Sequence, residues 1–157
     1  MSNVKPIPDG YHSLTPYLSV KCADRAIDFY ARAFGAEERF RMPGPGGCVA
    51  HAELQVGDSV LMLADENKEM GAPSPESLNG TPVSVFLYVE DVDRVFEQAV
   101  KAGSTVKMPL TDMFWGDRFG QVVDPFGHQW SLATHIEDVA PDEMEKRAAQ
   151  AFQQGQG

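Results

Sequence analysis

His51 and Glu53 stand two residues apart in a stretch, Cys48 to Val56, whose alternation predicts a β-strand. Side chains at that spacing share a strand face, so the carboxylate could orient the imidazole for proton transfer, or the two could form part of a metal site. The plainer alternative is a hydrogen-bonded or solvated face, continued by Gln55. A second group, Trp115-Gly116-Asp117-Arg118, follows Met113 and Phe114 and precedes another strand candidate. Trp115 could stack on a bound molecule and Arg118 could pair with a carboxylate or phosphate. Local turn contacts and aromatic core filling are the alternatives there. His128 follows Gly127 in a turn and reads as turn architecture, while His12 and His135 fall at the ends of the folded region, exposed or at an interface. Cys48 borders a Gly-Pro loop with no neighbouring cation to activate it as a nucleophile.

The elements that must position these residues follow from periodicity. The stretch up to Leu14, with Pro6, Pro8 and Gly10, is an extended lead-in. Pro16, Leu18 and Val20 alternate with Tyr17 and Ser19 as a short strand. Ala23, Ala26, Ile27, Tyr30, Ala33 and Phe34 then recur at helical spacing, with Asp24 at the start and Gly35 as the stop. Strands are predicted at Glu37 to Met42, Cys48 to Val56 and Val60 to Ala64, with the Pro-Gly run at 43–47 as a connection. Module one therefore spans about 15–64 as β-α-β-β-β, and the aperiodic stretch 65–81 is a linker.

The pattern restarts over about 82–135. The strand VSVFLYV (Val83 to Val89) leads into a stripe of Val92, Val95, Phe96, Ala99 and Val100 that ends at Gly103. Asp24-Arg25 recurs as Asp93-Arg94 and Val20 as Val89, an offset of 69 that marks a degenerate duplication. Strands follow at Thr105 to Met108, Arg118 to Val123 and Gln129 to Thr134. The folded domain is expected over 15–139. Residues 140–157 form a helix and tail, with Met144, Ala148, Ala151 and Phe152 on the face that packs on the body or on a second subunit.

A net charge of −10 with no basic cluster excludes a nucleic-acid or anionic-membrane partner. Two cysteines, Cys22 and Cys48, are too few for a disulfide scaffold. The opening residues lack a secretory pattern and the longest apolar run is seven residues, so a cytoplasmic location is expected. No phosphate loop, H-E-x-x-H or G-x-S-x-G occurs.

The strand running into a D-R helix in each half, the HAEL at His51, the WGDR at Trp115 and DPFGHQWSLATH together resemble the vicinal oxygen chelate superfamily, and more narrowly its PhnB-like branch, from about Tyr11 to Val139. That superfamily includes glyoxalase I, extradiol dioxygenases and bleomycin-binding proteins. The resemblance implies an α+β fold, two tandem βαβββ modules forming a U-shaped mixed sheet around a cavity, usually in a homodimer. Metal-dependent members hold a cation from the first and last strand of each module. The positions carried over are Thr15, Met62, Ser84 and Ser131, with neither carboxylate nor imidazole among them, so no metal and no cofactor is expected. Alternation then brings Tyr17 and Ser19 to the cavity with Thr15, and Phe86 and Tyr88 with Ser84, giving an aromatic, weakly polar lining. With Met62, Ser131, Trp115 and Arg118, these residues form the expected ligand pocket. The expected function is metal-independent binding of a small aromatic or amphipathic molecule. A lyase, isomerase or metalloenzyme using His51 and Glu53, and a non-catalytic dimeric interaction module, are the alternatives.

Overall fold

The computed structural model describes residues 3–155. Met1, Ser2, Gln156 and Gly157, at the tips of the expected lead-in and tail, lie outside the described residues. Leu18 and Val20 are buried while Tyr17 and Ser19 face outward, which makes β1 (Tyr17–Val20) a one-sided strand. The apolar stripe after it is α1 (Ala23–Phe34), closed by Gly35 at φ 68°, whose N–H bonds the carbonyl of Ala31. Its first turn has no cap from Cys22. Instead Asp65 Oδ1 accepts the Ala23 N–H at 2.8 Å while Oδ2 accepts that of Val49 at 2.6 Å.

Three strands complete the first module: β2 (Glu37–Pro43), β3 (Val49–Val56) and β4 (Ser59–Asp65). The second repeats it as β5 (Ser84–Tyr88), α3 (Val92–Ala102), β6 (Thr105–Asp112), β7 (Asp117–Val123) and β8 (Gln129–His135). Each module forms a four-stranded mixed sheet, in the orders β1-β4-β3-β2 and β5-β8-β7-β6. Tyr17 pairs in parallel with Met62, and Phe86 with Ser131, so the duplication offset persists in the register. The α+β, two-module architecture with a C-terminal helix holds.

The sheets share no ladder and are joined through one hydrophobic core that includes Tyr30 and Phe29 of α1 with Trp130 and Leu132 of β8. Helices α1 and α3 pack against each other beneath both sheets. Buried Asp124, in the β7–β8 turn, accepts from the Tyr30 hydroxyl at 2.6 Å and the Trp130 indole at 2.9 Å. His128, in the same turn, reaches the Ser19 carbonyl on β1 at 3.0 Å. Between the modules, a cleft of about 240 Å³ is lined by Pro16 and Val60 on one side and Val85, Phe86 and Leu87 on the other.

Three segments depart from the periodicity reading. The stretch expected as a plain linker contains α2 (Pro75–Leu78), capped by Ser74 and too short to show a period. Strand β6 runs through Pro109 to Asp112 instead of stopping at Met108; it is an edge strand, where a missing N–H costs no ladder bond. The Pro-Gly connection contains a 3₁₀ turn at Pro45–Gly47. The last helix, α4 (Pro141–Gln154), buries no residue fully and is held by Arg147, which pairs with Glu137 at 2.7 Å and donates to the Phe114 carbonyl at 3.3 Å. No helix among the described residues is long and apolar enough to cross a membrane.

Candidate functional site

Each sheet covers the core with one face and presents the other. On the first module, the presented face carries Tyr17 of β1, Met62 of β4, His51 and Glu53 of β3, and Phe40 and Met42 of β2, which lie directly across from Glu53 and His51. Tyr17 is 53% exposed and Phe40 51%, far more than a core aromatic. The polar groups beneath them are connected. The Tyr17 hydroxyl lies 2.9 Å from His51 Nδ1, His51 Nε2 lies 3.1 Å from Glu53 Oε1, and the Tyr11 hydroxyl donates to Glu53 Oε2. The Tyr11 hydroxyl, followed by His51, holds the Glu53 carboxyl below its usual range, and the same carboxylate raises the Tyr11 phenol.

The second module presents Ser84, Phe86 and Tyr88 of β5, Ser131 and His135 of β8, and Asp117, Phe119 and Gln121 of β7. Asp117, 3% exposed, collects the Tyr88 hydroxyl at 2.9 Å, the Trp115 indole N–H at 3.0 Å and His135 Nδ1 at 2.8 Å. Burial pushes the Asp117 carboxyl up, but the bonds from His135, Tyr88 and Trp115 outweigh it and leave the group below the ordinary aspartate range. His135 is raised in turn, by Asp138 first and Asp117 second. Phe86 stacks near Tyr88 and Phe119, with ring centroids 4.9 and 5.6 Å away, and Trp115 meets Phe119 edge-on at 5.5 Å.

Of the residues the sequence singled out, the structure brings His51 and Glu53 together with Tyr17 and Met62 on one face. It gathers Ser84, Phe86, Tyr88, Trp115 and Ser131 on the other. Arg118 is not among them. It lies on the opposite side of β7, held by Asp93 through two bonds of 2.8 and 2.9 Å and by Asp112 at 3.0 Å, so its charge is already matched away from the lining. Tyr11, Phe40, Met42, Asp117 and His135 are additions to the site. Phe40 and Met42 alternate with Arg39 and Arg41, a signal present in the sequence. Tyr11 reaches Glu53 across 42 positions and carries no local signal.

The metal positions implied by the resemblance can be tested against these neighbours. Ser84 Oγ and Ser131 Oγ lie 3.0 Å apart, and Gln121 Nε2 donates to Ser131 at 3.0 Å, so that half is a neutral hydrogen-bonded cluster. Met62 and part-buried Thr15 supply the other half. A thioether and three hydroxyls do not offer the anionic oxygen or imidazole donors that a divalent first-row cation needs, and the residues do not fit one.

A second cleft, about 410 Å³, opens beside Tyr17 and Ser19 and is bounded by Cys48, Ala64, Asp65 and Met70.

The sequence profile described as Glyoxalase/Bleomycin resistance protein/Dioxygenase superfamily matches residues 11–132. An uncharacterised protein of Mycobacterium bovis is 47% identical over 146 residues, covering 91% of this chain and 92% of that protein. Protein YjdN of Escherichia coli K12 is 30% identical, covering 76% of this chain and 92% of its own. Among solved structures, TioX from Micromonospora sp. ML1 superposes with a TM-score of 0.63 at 31% identity, covering 80% of this chain and 99% of that one.

Proposed function

Starting from the fact that the chain belongs to the glyoxalase/bleomycin resistance protein/dioxygenase superfamily, we propose that it binds a small aromatic or amphipathic molecule, without a metal, across the presented faces of its two sheets. The observation that carries this reading is the pairing of half-exposed rings, Tyr17, Phe40, Phe86 and Tyr88, with an ordered polar floor, at a place where the inherited metal positions are neutral. Solvent-exposed rings have a ready use in covering an apolar ligand, while the polar floor orients it. The test is a thermal-shift screen of small aromatic compounds on chelator-treated protein. A ligand at a hundredfold excess over its dissociation constant stabilises the native state by about 2.7 kcal/mol, a readily measured rise in melting temperature. Binding that appears only after zinc, nickel or iron is restored overturns the proposal.

A second reading is favoured by the Tyr17–His51–Glu53 chain, which has the composition of a proton-transfer site for a lyase or isomerase acting on an activated carbonyl compound. A His51→Ala variant that keeps ligand affinity and abolishes turnover would support it. We also propose that the working form is a homodimer. The half-exposed stripe of α4, with Phe152 70% exposed, supports this, because an amphipathic helix of this length gains most of its stability from a packing partner. Light scattering on the full chain, expected near 34 kDa as about twice the 17.2 kDa chain, tests it.

A further inference from the structure

The offset of 69 relates two places where one module meets the other, and only one of them is filled. At the end of β1, the β7–β8 turn and α2 close the junction. Phe126 of that turn is buried against Phe29 and Tyr30 of α1, with ring centroids 6.0 and 6.3 Å away. His128 bonds the Ser19 carbonyl, and Pro75 of α2 lies so close to Gly127 that an added methyl group would fall 2.8 Å from its Cβ. Glu76 of α2 pairs with Lys21 at 3.8 Å.

At the corresponding end of β5, Tyr88, Glu90 and Arg94 stand for Ser19, Lys21 and Arg25, and these fillers are missing. The β3–β4 turn is only Gly57 and Asp58, with no aromatic ring, and Ser59 turns its hydroxyl to Asp58 at 2.9 Å. The result is a groove of about 350 Å³, lined by Val56 and Gly57 of the first module and by Leu87, Glu90 and Arg94 of the second. The Arg94 N–H is taken by the Asp91 cap at 3.1 Å, while its guanidinium has no partner among the described residues.

Helix α2 follows β4 as α4 follows β8, and each begins with a proline, Pro75 and Pro141. The chain's own α4 is nevertheless led away from β5. The N–H groups of Ile136 and Glu137 bond the Gly116 carbonyl, and Arg147 ties the helix to Glu137 and to the Phe114 carbonyl, on the β7 side of β8. The outward face of α4 carries Glu145, Ala149 and Phe152, all exposed. Glu145 and Phe152 are seven residues apart on one helix face, about 10 Å along the axis. Neither Glu145 nor Lys146 has an ion-pair partner among the described residues.

We propose that in the homodimer this groove holds α4 of a second copy of the chain. Phe152 of the partner subunit lies against Val56 and Leu87, in the place that Phe126 fills at the other junction, and Glu145 of the partner subunit pairs with Arg94. Lys146, next along the helix, gives Glu90 a counter-charge. The apolar and charged groups of groove and helix are thus complementary, and two-fold symmetry makes the contact twice. The inference rests on the homodimer reading above and assigns its interface.

Sedimentation equilibrium of the full chain over a range of concentrations tests it. The wild type is expected to dimerise, and Phe152→Ser and Arg94→Glu are each expected to weaken the dimer by about tenfold or more. Combining Arg94→Glu with Glu145→Arg exchanges the two charges and is expected to restore the dissociation constant to within about threefold of wild type. All three positions are exposed in the single chain, and unchanged circular dichroism confirms that each variant folds. An unaltered dissociation constant in either single variant, or no recovery in the double variant, overturns this interface and leaves the homodimer standing. A wild-type chain that stays monomeric throughout refutes both.

Discussion

Asp117 gathers three donors on one buried carboxylate, and an amide cannot reproduce that pattern because one of its two ends donates. Asp117→Asn is expected to destabilise the fold by about 1–3 kcal/mol at neutral pH, the range for leaving buried partners unmatched. The folded carboxyl sits below its unfolded value near about 3.9, so its stabilisation is fully present above that pH and is lost as pH falls through the folded value. Denaturation of wild type and variant should therefore converge on acidification below about pH 4. Glu53 offers a test without a stability readout. Removing its largest depressing contact in Tyr11→Phe should raise the Glu53 titration midpoint, followed by carboxyl carbon NMR. An unmoved midpoint would mean that Tyr11 does not engage Glu53 in solution. His51 and Glu53 were legible in the sequence because a spacing of two on a strand fixes a shared face. Tyr11, Asp117 and His135 were not, since their partners are set by tertiary approach.

At the scale of elements, the end of β8 is pinned over Trp115 by one glycine. The Gly116 carbonyl accepts the N–H groups of Ile136 and Glu137 at 2.9 and 3.0 Å, and its φ is 99°. A methyl group added there would fall 2.1 Å from the Glu137 carbonyl oxygen. Gly116→Ala is expected to cost about 1–3 kcal/mol from the left-handed backbone alone, with further loss from displaced chain. Because Trp115 is the next residue, the variant should also shift tryptophan emission, and a melting temperature equal to wild type would refute the contact. The helical stripe and glycine stop of α1 were readable in advance because both are local. The cap of α1 by Asp65 was not, since it reaches 42 positions along the chain. The full length of β6 was also hidden, because Pro109 reads as a strand breaker until the strand is known to lie at an edge.

The whole molecule depends on how the two repeats are joined. Tandem duplication was legible through Asp24-Arg25 and Asp93-Arg94, and the paired registers of Tyr17 and Phe86 bear it out. The sequence does not reveal that the modules share one core. Trp130, 1% exposed on β8, lies 4.5 Å from the Phe34 ring and 5.4 Å from that of Tyr30, both on the helix of the other repeat. Its indole N–H and the Tyr30 hydroxyl meet on the same buried oxygen of Asp124. Neither module can lose these groups without exposing the apolar surface of its neighbour, so unfolding should be a single cooperative transition. Trp130→Ala removes a large buried ring and the donor to Asp124 together, and is expected to destabilise by about 3–5 kcal/mol. Both modules should feel it equally. NMR signals from His51 in the first module and indole signals from Trp115 in the second should disappear at the same denaturant concentration, in wild type and variant alike. Two separated transitions in the wild type would show that the modules are independent units, and that the Tyr30–Asp124–Trp130 contact contributes little to joining them.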